Sequence, residues 1–93
     1  MFKPGRLVIT CGANTVLANE GTGYIIPLFR HLSGDWGDVC KEDKEANNQA
    51  VKDGGRILSD YTTKKGTRIW IITEAADEAG VRSATTILLP EEY

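Results

Sequence analysis

The residues best suited to chemistry are concentrated between positions 31 and 49, in the stretch HLSGDWGDVCKEDKEANNQ. The stretch contains the only histidine of the chain, one of its two tryptophans and one of its two cysteines. Four carboxylates accompany them within nine residues: Asp35, Asp38, Glu42 and Asp43. Histidine, cysteine and carboxylates together suggest a metal site, a nucleophilic centre or acid–base chemistry.

Each of these sites would need partners that this stretch does not contain. Zinc takes four ligands, and neither a second histidine nor a CxxC pair accompanies His31 and Cys40. Any Ser–His or Cys–His site must use His31, because the chain has no other histidine. Paired carboxylates such as Asp35 and Asp38 occur on any acidic surface, so they do not predict catalysis without a cleft. We therefore expect no catalytic residue and no bound metal.

The same residues also have a structural interpretation. His31 would then be a partly exposed residue in the last turn of a helix, where positive charge suits the helix dipole. Trp36 lies between two glycines, and we expect it to fold back onto the core, with Asp35 or Asp38 capping the adjoining turn. In the alternative, Trp36 is exposed and, rimmed by acids, suits a protein partner.

The first half of the chain carries helix signals. The segment 6–10 (RLVIT) predicts an edge strand or a packed entry segment, and Thr10 offers an N-cap for a helix that ends at Gly21. The segment 24–34 (YIIPLFRHLSG) places Ile25, Phe29 and Leu32 on one helical face. The segment 41–55 has acids in its first turn, a lysine near its end and two glycines after it, which is typical of a third helix. The GTG at 21–23 lacks the third glycine of a dinucleotide-binding loop, so no cofactor is expected.

From residue 56 the apolar period changes to that of strands. RILSDY (56–61) and TRIWIITEA (67–75) are joined by a Lys-Lys-Gly turn, and ATTILLPEEY supplies a third strand that stops at Pro90. Both faces of the 67–75 strand are apolar, which favours a central position. The chain is therefore expected to be one α+β domain, 1–93, with two or three N-terminal helices packed on a three- to four-stranded antiparallel sheet.

Charge argues against a phosphate-binding surface. Eleven Lys and Arg are scattered among thirteen Asp and Glu, which gives a net charge of −2. The densest basic cluster, Lys64, Lys65 and Arg68, is the alternative nucleic-acid patch, with Arg56 as a further member.

The N-terminus lacks the apolar segment of a signal peptide, and no stretch is long enough to span a membrane, so we expect a cytoplasmic protein that does not use a membrane. Cys11 and Cys40 are expected to be reduced and buried.

Five motifs occur in order between residues 28 and 93: HLSGDWGD, EDKEANNQA, GGRILSDY, IWIITEA and RSATTILLPEEY. With them, the chain resembles a family of small uncharacterised bacterial proteins that are often carried by plasmids, phages and integrative elements. The ending ATTILLPEEY also resembles the C-terminus of a second family of unknown function in Firmicutes and their phages. The resemblance implies a mobile-element setting and transfers no catalytic residue.

Seven residues are candidates for either partner binding or a polar network that defines the fold: His31, Asp35, Trp36, Asp38, Arg56, Arg82 and Glu91. The network is favoured, because half-buried charges need partners, and Glu91 and Glu92 are placed to pair with arginines. The function we predict is non-enzymatic binding of another protein, for example inhibition of a host defence nuclease in the manner of an anti-CRISPR. The alternatives are an RNase-toxin-like or nucleic-acid-binding module, and a homo-oligomer that pairs through a free sheet edge.

Overall fold

The computed structural model describes residues 2–93, and Met1 lies outside the described part. Within that range the helices are α1 (Cys11–Asn19), α2 (Ile25–Leu32) and α3 (Lys41–Asp53). The strands are β1 (Arg6–Ile9), β2 (Ile57–Thr62), β3 (Arg68–Thr73) and β4 (Ala84–Leu88), and a 3-10 turn follows at Pro90–Glu92. The predicted α+β class is therefore confirmed.

The strands form one mixed sheet in the order β1-β4-β3-β2. Both β2 and β4 run antiparallel to the central strand β3, whereas β1 runs parallel to β4. The expectation of a purely antiparallel sheet is thus wrong in one strand. The physical reason is that β1 is not joined to β4 by a hairpin: all three helices and two strands lie between them in the chain, and such a long connection permits parallel pairing.

Local signals account for the ends of the elements. The Thr10 side chain accepts a hydrogen bond from the Ala13 N–H at 3.2 Å, which makes it the N-cap of α1 as predicted. Gly54 ends α3 with φ +88°, a left-handed conformation that disfavours any residue with a Cβ. The last strand stops before Pro90, which cannot donate to a sheet.

The core lies between the helices and the inner face of the sheet. Ile69 and Ile71 of β3 and Ile87 of β4 have no exposed surface, and they pack with Ala13 and Leu17 of α1. The opposite face of β3 is also well covered, since Ile72 is only 3 % exposed. The sequence prediction that β3 lies at the centre of the sheet is confirmed.

The two edges of the sheet differ. Along the outer side of β2, the Asn47 side chain of α3 donates to the Leu58 carbonyl at 2.8 Å and accepts from its N–H at 3.2 Å. Two residues further on, the Asp60 N–H donates to the Trp36 carbonyl and its carbonyl accepts from the Asp38 N–H. These contacts cover the β2 edge, and they leave β1 as the open edge of the sheet.

No helix between residues 2 and 93 has the length and apolar character needed to cross a bilayer.

Candidate partner-binding surface

Helix α2 presents opposite kinds of side chain to its two sides. His31 has no exposed surface, whereas Ile25, Ile26 and Phe29 are 61, 65 and 68 % exposed. An amphipathic helix ordinarily turns its apolar stripe to the core and its polar residues to water. In α2 this arrangement is reversed, so each side requires its own explanation.

The inward side is held by a chain of hydrogen bonds. His31 Nδ1 lies 2.6 Å from Ser59 Oγ of β2, and Nε2 lies 2.8 Å from Thr73 Oγ1 of β3. Thr73 Oγ1 lies 2.7 Å from Thr85 Oγ1 of β4, and Thr85 donates to the Pro4 carbonyl at 2.7 Å. These residues tie α2 to three strands and to the chain that enters β1.

The Pro4 carbonyl, which is the last acceptor, sets the direction of the hydrogen bonds made by Thr85, Thr73 and His31 Nε2. A carbonyl oxygen can only accept, so the single proton of the Thr85 hydroxyl is used on Pro4. Thr73 must then donate to Thr85, and His31 Nε2–H must donate to Thr73. The proton is therefore on Nε2 of the imidazole. In the neutral ring Nδ1 carries no proton, and it accepts from the Ser59 hydroxyl.

The surroundings of His31 favour this neutral form. The ring lies edge-on to Phe2 at 5.4 Å and to Trp36 at 5.8 Å between ring centres. Burial lowers the pKa of His31 to about 4, because the charged form would lose its hydration. The predicted position in the last turn of a helix is confirmed, but partial exposure is wrong, because strand hydroxyls satisfy both ring nitrogens inside the core.

His31 and Ser59 have the geometry of a nucleophile and its base, since their side chains are within hydrogen-bond distance. Ser59 and Thr73 are both without exposed surface, as is His31. A substrate in solution therefore has no path to this pair in the folded chain. The contact between His31 and Ser59 therefore supports the fold from the inside.

The turn that follows α2 fixes Trp36 against the core. Trp36 is 4 % exposed, as predicted, and its indole N–H donates to Asn48 at 2.9 Å. Gly37 has φ +75°, and a Cβ there would lie 2.2 Å from the Asp60 carbonyl oxygen, so the turn requires glycine. Asp35 accepts from the Gly37 N–H at 3.2 Å, which confirms its predicted role in the turn.

The outward side of α2 borders an open groove of about 420 Å³. Ile26, Pro27 and Arg30 form its α2 wall, and Leu17 and Thr22 contribute from the α1 side. The opposite wall belongs to the β2–β3 hairpin and consists of Tyr61, Thr62, Thr63, Lys64 and Ile69. We call Ile25, Ile26 and Phe29 the α2 ridge. Ile26 belongs to both the ridge and the groove, and it joins the two surfaces.

The rim of this surface is polar. Arg30 and Asp35 form an ion pair at 2.7 Å, which raises the pKa of Arg30 and lowers that of Asp35. The Arg30 guanidinium also lies 4.6 Å from the centre of the Tyr61 ring. Two further carboxylates lie at the hairpin wall: Asp38 accepts from the Thr62 hydroxyl and Glu20 from the Thr63 hydroxyl, both at 2.8 Å. Three carboxylates thus lie at the rim of the groove. The positive charges beside them are the ammonium of Lys64 and the guanidinium of Arg30.

The candidate residues outside this region do not join one network. Arg82, 8 % exposed, donates to the carbonyls of Ala50, Gly55 and Glu74 at 2.9, 2.7 and 3.0 Å. Arg56 donates to the Tyr93 hydroxyl instead of pairing with a carboxylate.

The expected pairing of Glu91 and Glu92 with arginines is not formed. Among residues 2–93 the ion pairs are Arg30–Asp35 and Arg68–Asp60. Glu92 instead accepts from the Thr10 hydroxyl and the Leu89 N–H, which lowers the pKa of its carboxyl group. The physical reason is that backbone carbonyls satisfy Arg82 and backbone and hydroxyl donors satisfy Glu92.

The basic residues of the alternative nucleic-acid patch lie at opposite ends of β2. Lys64 and Lys65 are exposed in the β2–β3 hairpin, and Arg68 pairs with the buried carboxylate of Asp60. Arg56 precedes β2, while Arg68 lies opposite Thr62 at its other end, about 20 Å away at ~3.3 Å per residue. Arg56 and the hairpin lysines therefore do not form one contiguous basic face.

Two further expectations concern metals and thiols. In the described part of the chain, no three side chains of metal-binding type come close enough to hold an ion.

Cys11 and Cys40 are exposed, so the prediction of buried cysteines is wrong. Both lie at helix starts, where the side chain points away from the core: Cys11 opens α1 and Cys40 is the residue before α3.

Sequence reasoning missed the α2 ridge. It grouped Ile25, Phe29 and Leu32 as one apolar face but gave that face no function. The signal in the sequence was the near-absence of polar residues from α2, which has only Arg30 and His31 among its eight residues. Such a helix has apolar side chains to spare after one side is packed.

The chain matches no known protein-family profile, no curated protein and no solved structure.

Proposed function

We propose that this protein acts in the cytoplasm by binding another protein through the α2 ridge and its groove, and that it does so without catalysis. The observation that carries the proposal is the exposure of Ile25, Ile26 and Phe29, each above 60 %. The three side chains present roughly 350 Å² of apolar surface, which is in the range of the largest patches on soluble monomers, and such patches are often functional.

The shape of the surface favours insertion into a partner. Phe29 lies four residues after Ile25 and three after Ile26, and both intervals are typical of the anchor residues of a helix that enters an apolar groove. Phe29 is suited to a central role, because large aromatic side chains dominate binding energies at interfaces.

The occupant of this surface is a different protein and not a second copy. Two ridges packed face to face would bury about 700 Å² in total, less than the ~1,200 Å² of stable specific complexes. A partner whose groove encloses α2 would contact the ridge, the hairpin wall and the polar rim together. Specific binding needs such a larger contact, because the ridge alone is too small.

The charges around the groove indicate the charge expected on the partner. Asp35, Asp38 and Glu20 are exposed or half-buried at its rim. A partner with basic residues around an apolar groove would be attracted electrostatically, and enzymes that hold nucleic acid in a basic channel have such surfaces.

Inhibition of a defence nuclease, encoded by a mobile element, is the concrete form of this proposal. It is supported by the charge around the groove and by the mobile-element setting that the sequence motifs imply. Occupation of the basic channel would exclude the nucleic acid, so the inhibition is expected to weaken as salt screens the charges.

The test is affinity capture from a lysate of the bacterial host, with and without nuclease treatment, and with three tagged proteins in parallel. These are the wild type, the Ile26→Asp/Phe29→Asp variant and Val81→Asp as the matched control. Val81 is 58 % exposed and apolar but lies in the loop before β4, outside the α2 ridge. We expect a stoichiometric protein with the wild type and the control, and its loss with the double variant.

Three outcomes would contradict the proposal. The first is retention of the captured protein by the double variant. The second is loss of that protein with Val81→Asp. The third is capture of nucleic acid alone, removed by nuclease, which would favour binding through Lys64, Lys65 and Arg68.

A further inference from the structure

The outer edge of β1 carries backbone groups that the sheet does not use. In a parallel pair, alternate residues of each strand bond to the neighbour. The Arg6 and Thr10 N–H groups donate to the Ser83 and Ile87 carbonyls of the β4 side, both at 3.0 Å. This alternation directs the N–H and C=O groups of Leu7 and Ile9 away from β4. The Leu7 side chain is itself 41 % exposed.

We infer that this edge pairs with the same edge of a second copy, antiparallel about a two-fold axis at Val8. In this register Leu7 lies opposite Ile9 of the second copy, and each such pair exchanges both of its N–H···O=C bonds. Val8 lies opposite Val8 of the second copy as the intervening pair that is not hydrogen-bonded. The two sheets then form one continuous sheet of twice the width.

The side chains fit this register on both faces of the sheet. Leu7 and Ile9 share the inner face with Thr85 and Ile87 of β4, so their pairing adds apolar contact next to the core. Val8 is half-buried on the outer face, and β-branched residues are favoured as directly opposed neighbours. A shift by one residue would exchange the faces and lose both contacts.

The charges at the ends of the pairing are complementary. Arg6 is exposed, and it lies opposite Thr10 of the second copy in this register. The Thr10 hydroxyl donates to the Glu92 carboxylate, which therefore sits beside it on the same chain. Each end of the interface thus places an arginine next to a carboxylate. An edge arginine ordinarily discourages pairing, but here the opposed strand offers it a partner.

This inference rests on β1 and is independent of the function proposed for α2. The β2 edge cannot pair in the same manner, because Asn47, Trp36 and Asp38 already bond to its backbone. One open edge gives a closed dimer and not a fibre, since the two-fold operation uses the same strand in both copies.

The decisive experiment is cross-linking of the Val8→Cys variant in a Cys11→Ser/Cys40→Ser background, which removes the two exposed thiols. Opposed Cα atoms in a pair that is not hydrogen-bonded lie about 4.5 Å apart, within the span of a disulfide. Arg6→Cys in the same background is the control, because the two copies of residue 6 lie about 14 Å apart, beyond disulfide reach. Mild oxidation should give a covalent dimer with Val8→Cys and little or none with Arg6→Cys.

Sedimentation of the unmodified protein provides the second measurement. A monomer–dimer equilibrium is expected, and Leu7→Pro should raise its dissociation constant about 30-fold, because each copy loses one outward N–H donor (about 2 kcal/mol in total). Arg6→Glu should raise it about tenfold through repulsion of Glu92. The inference is overturned if the wild type sediments as a monomer at every attainable concentration. It is equally overturned if Arg6→Cys cross-links as readily as Val8→Cys.

Discussion

The inward side of α2 carries an imidazole with no exposed surface, whereas its outward side carries two isoleucines and a phenylalanine that are more than 60 % exposed. The buried imidazole is bonded through both nitrogens to hydroxyls of the sheet, so its burial leaves no polar atom without a partner. The exposed apolar side chains are in contact with water, which is unfavourable, and no hydrogen bond offsets that cost. The residue that most resembles a catalytic group is therefore structural, and the residues that resemble ordinary core are the best candidates for function.

The distinction between buried, hydrogen-bonded polar residues and exposed apolar residues also applies beyond α2. Arg82 is a buried charged group, and it holds three backbone carbonyls together at the junction of α3, β3 and the loop before β4. The following predictions compare these buried polar residues with the exposed apolar ridge. They run from the largest expected effect on stability to the smallest.

Arg82→Met is expected to cost about 4 kcal/mol of unfolding free energy. The variant keeps much of the buried volume but leaves the carbonyls of Ala50, Gly55 and Glu74 without their donor, at about 1–3 kcal/mol for each unsatisfied group. Urea denaturation followed by circular dichroism measures the loss. A cost below about 1 kcal/mol would show that water replaces the guanidinium.

Acidification from pH 6.5 to pH 4 should remove roughly 3 kcal/mol of stability through His31 alone. The folded-state pKa is about 4, below the ordinary value of 6.5, so over this range the unfolded chain binds the proton and the folded chain does not. The stability is present above pH 6.5 and is lost as the pH falls toward 4. Denaturation midpoints across this range provide the test.

His31→Gln is the control for this pH dependence. Its amide can accept from Ser59 and donate to Thr73 but does not titrate. The slope of stability against pH should therefore flatten between pH 6.5 and 4 in the variant. An unchanged slope would assign the effect to other groups.

Trp36→Phe should cost about 1 kcal/mol. The indole N–H is lost, and with it the bond to Asn48 at 2.9 Å, while most of the aromatic contact with Phe2 and His31 is kept. Thermal unfolding measures the change. Asn48→Ala should have a similar effect, and the double variant should cost no more than either single one if the bond accounts for the loss.

Phe29→Ser is expected to change the unfolding free energy by less than about 0.5 kcal/mol, because the ring is already exposed. The same variant should bind the captured partner far more weakly. A stability loss above about 2 kcal/mol would show that Phe29 is part of the core in solution and would contradict its role as a binding residue.

Local signals predicted much of the fold. The cap at Thr10, the glycine after α3, the alternation of Ile69 to Ile72 and the stop at Pro90 gave the elements and the central place of β3. These features depend on neighbours in sequence, which a single chain displays. The parallel direction of β1 was not predicted, because it depends on how the chain returns after all the other elements.

The site could not be predicted in the same manner. The bonds of His31 reach residues 28 and 42 positions away, and nothing near His31 in the sequence indicates those hydroxyls. Which side of α2 faces inward also depends on these distant partners: once Ser59 and Thr73 hold the imidazole, the opposite side of the helix must face water. The apolar face was visible in the sequence, but its orientation was not.

The most direct test of the account is the affinity of the purified captured protein for three forms of the chain, measured by calorimetric titration under conditions where all are folded. We predict that Phe29→Asp abolishes binding, whereas His31→Gln binds as tightly as the wild type. Binding that survives Phe29→Asp and is lost with His31→Gln would reverse the assignment, making the interior of α2 functional and its exposed ridge incidental.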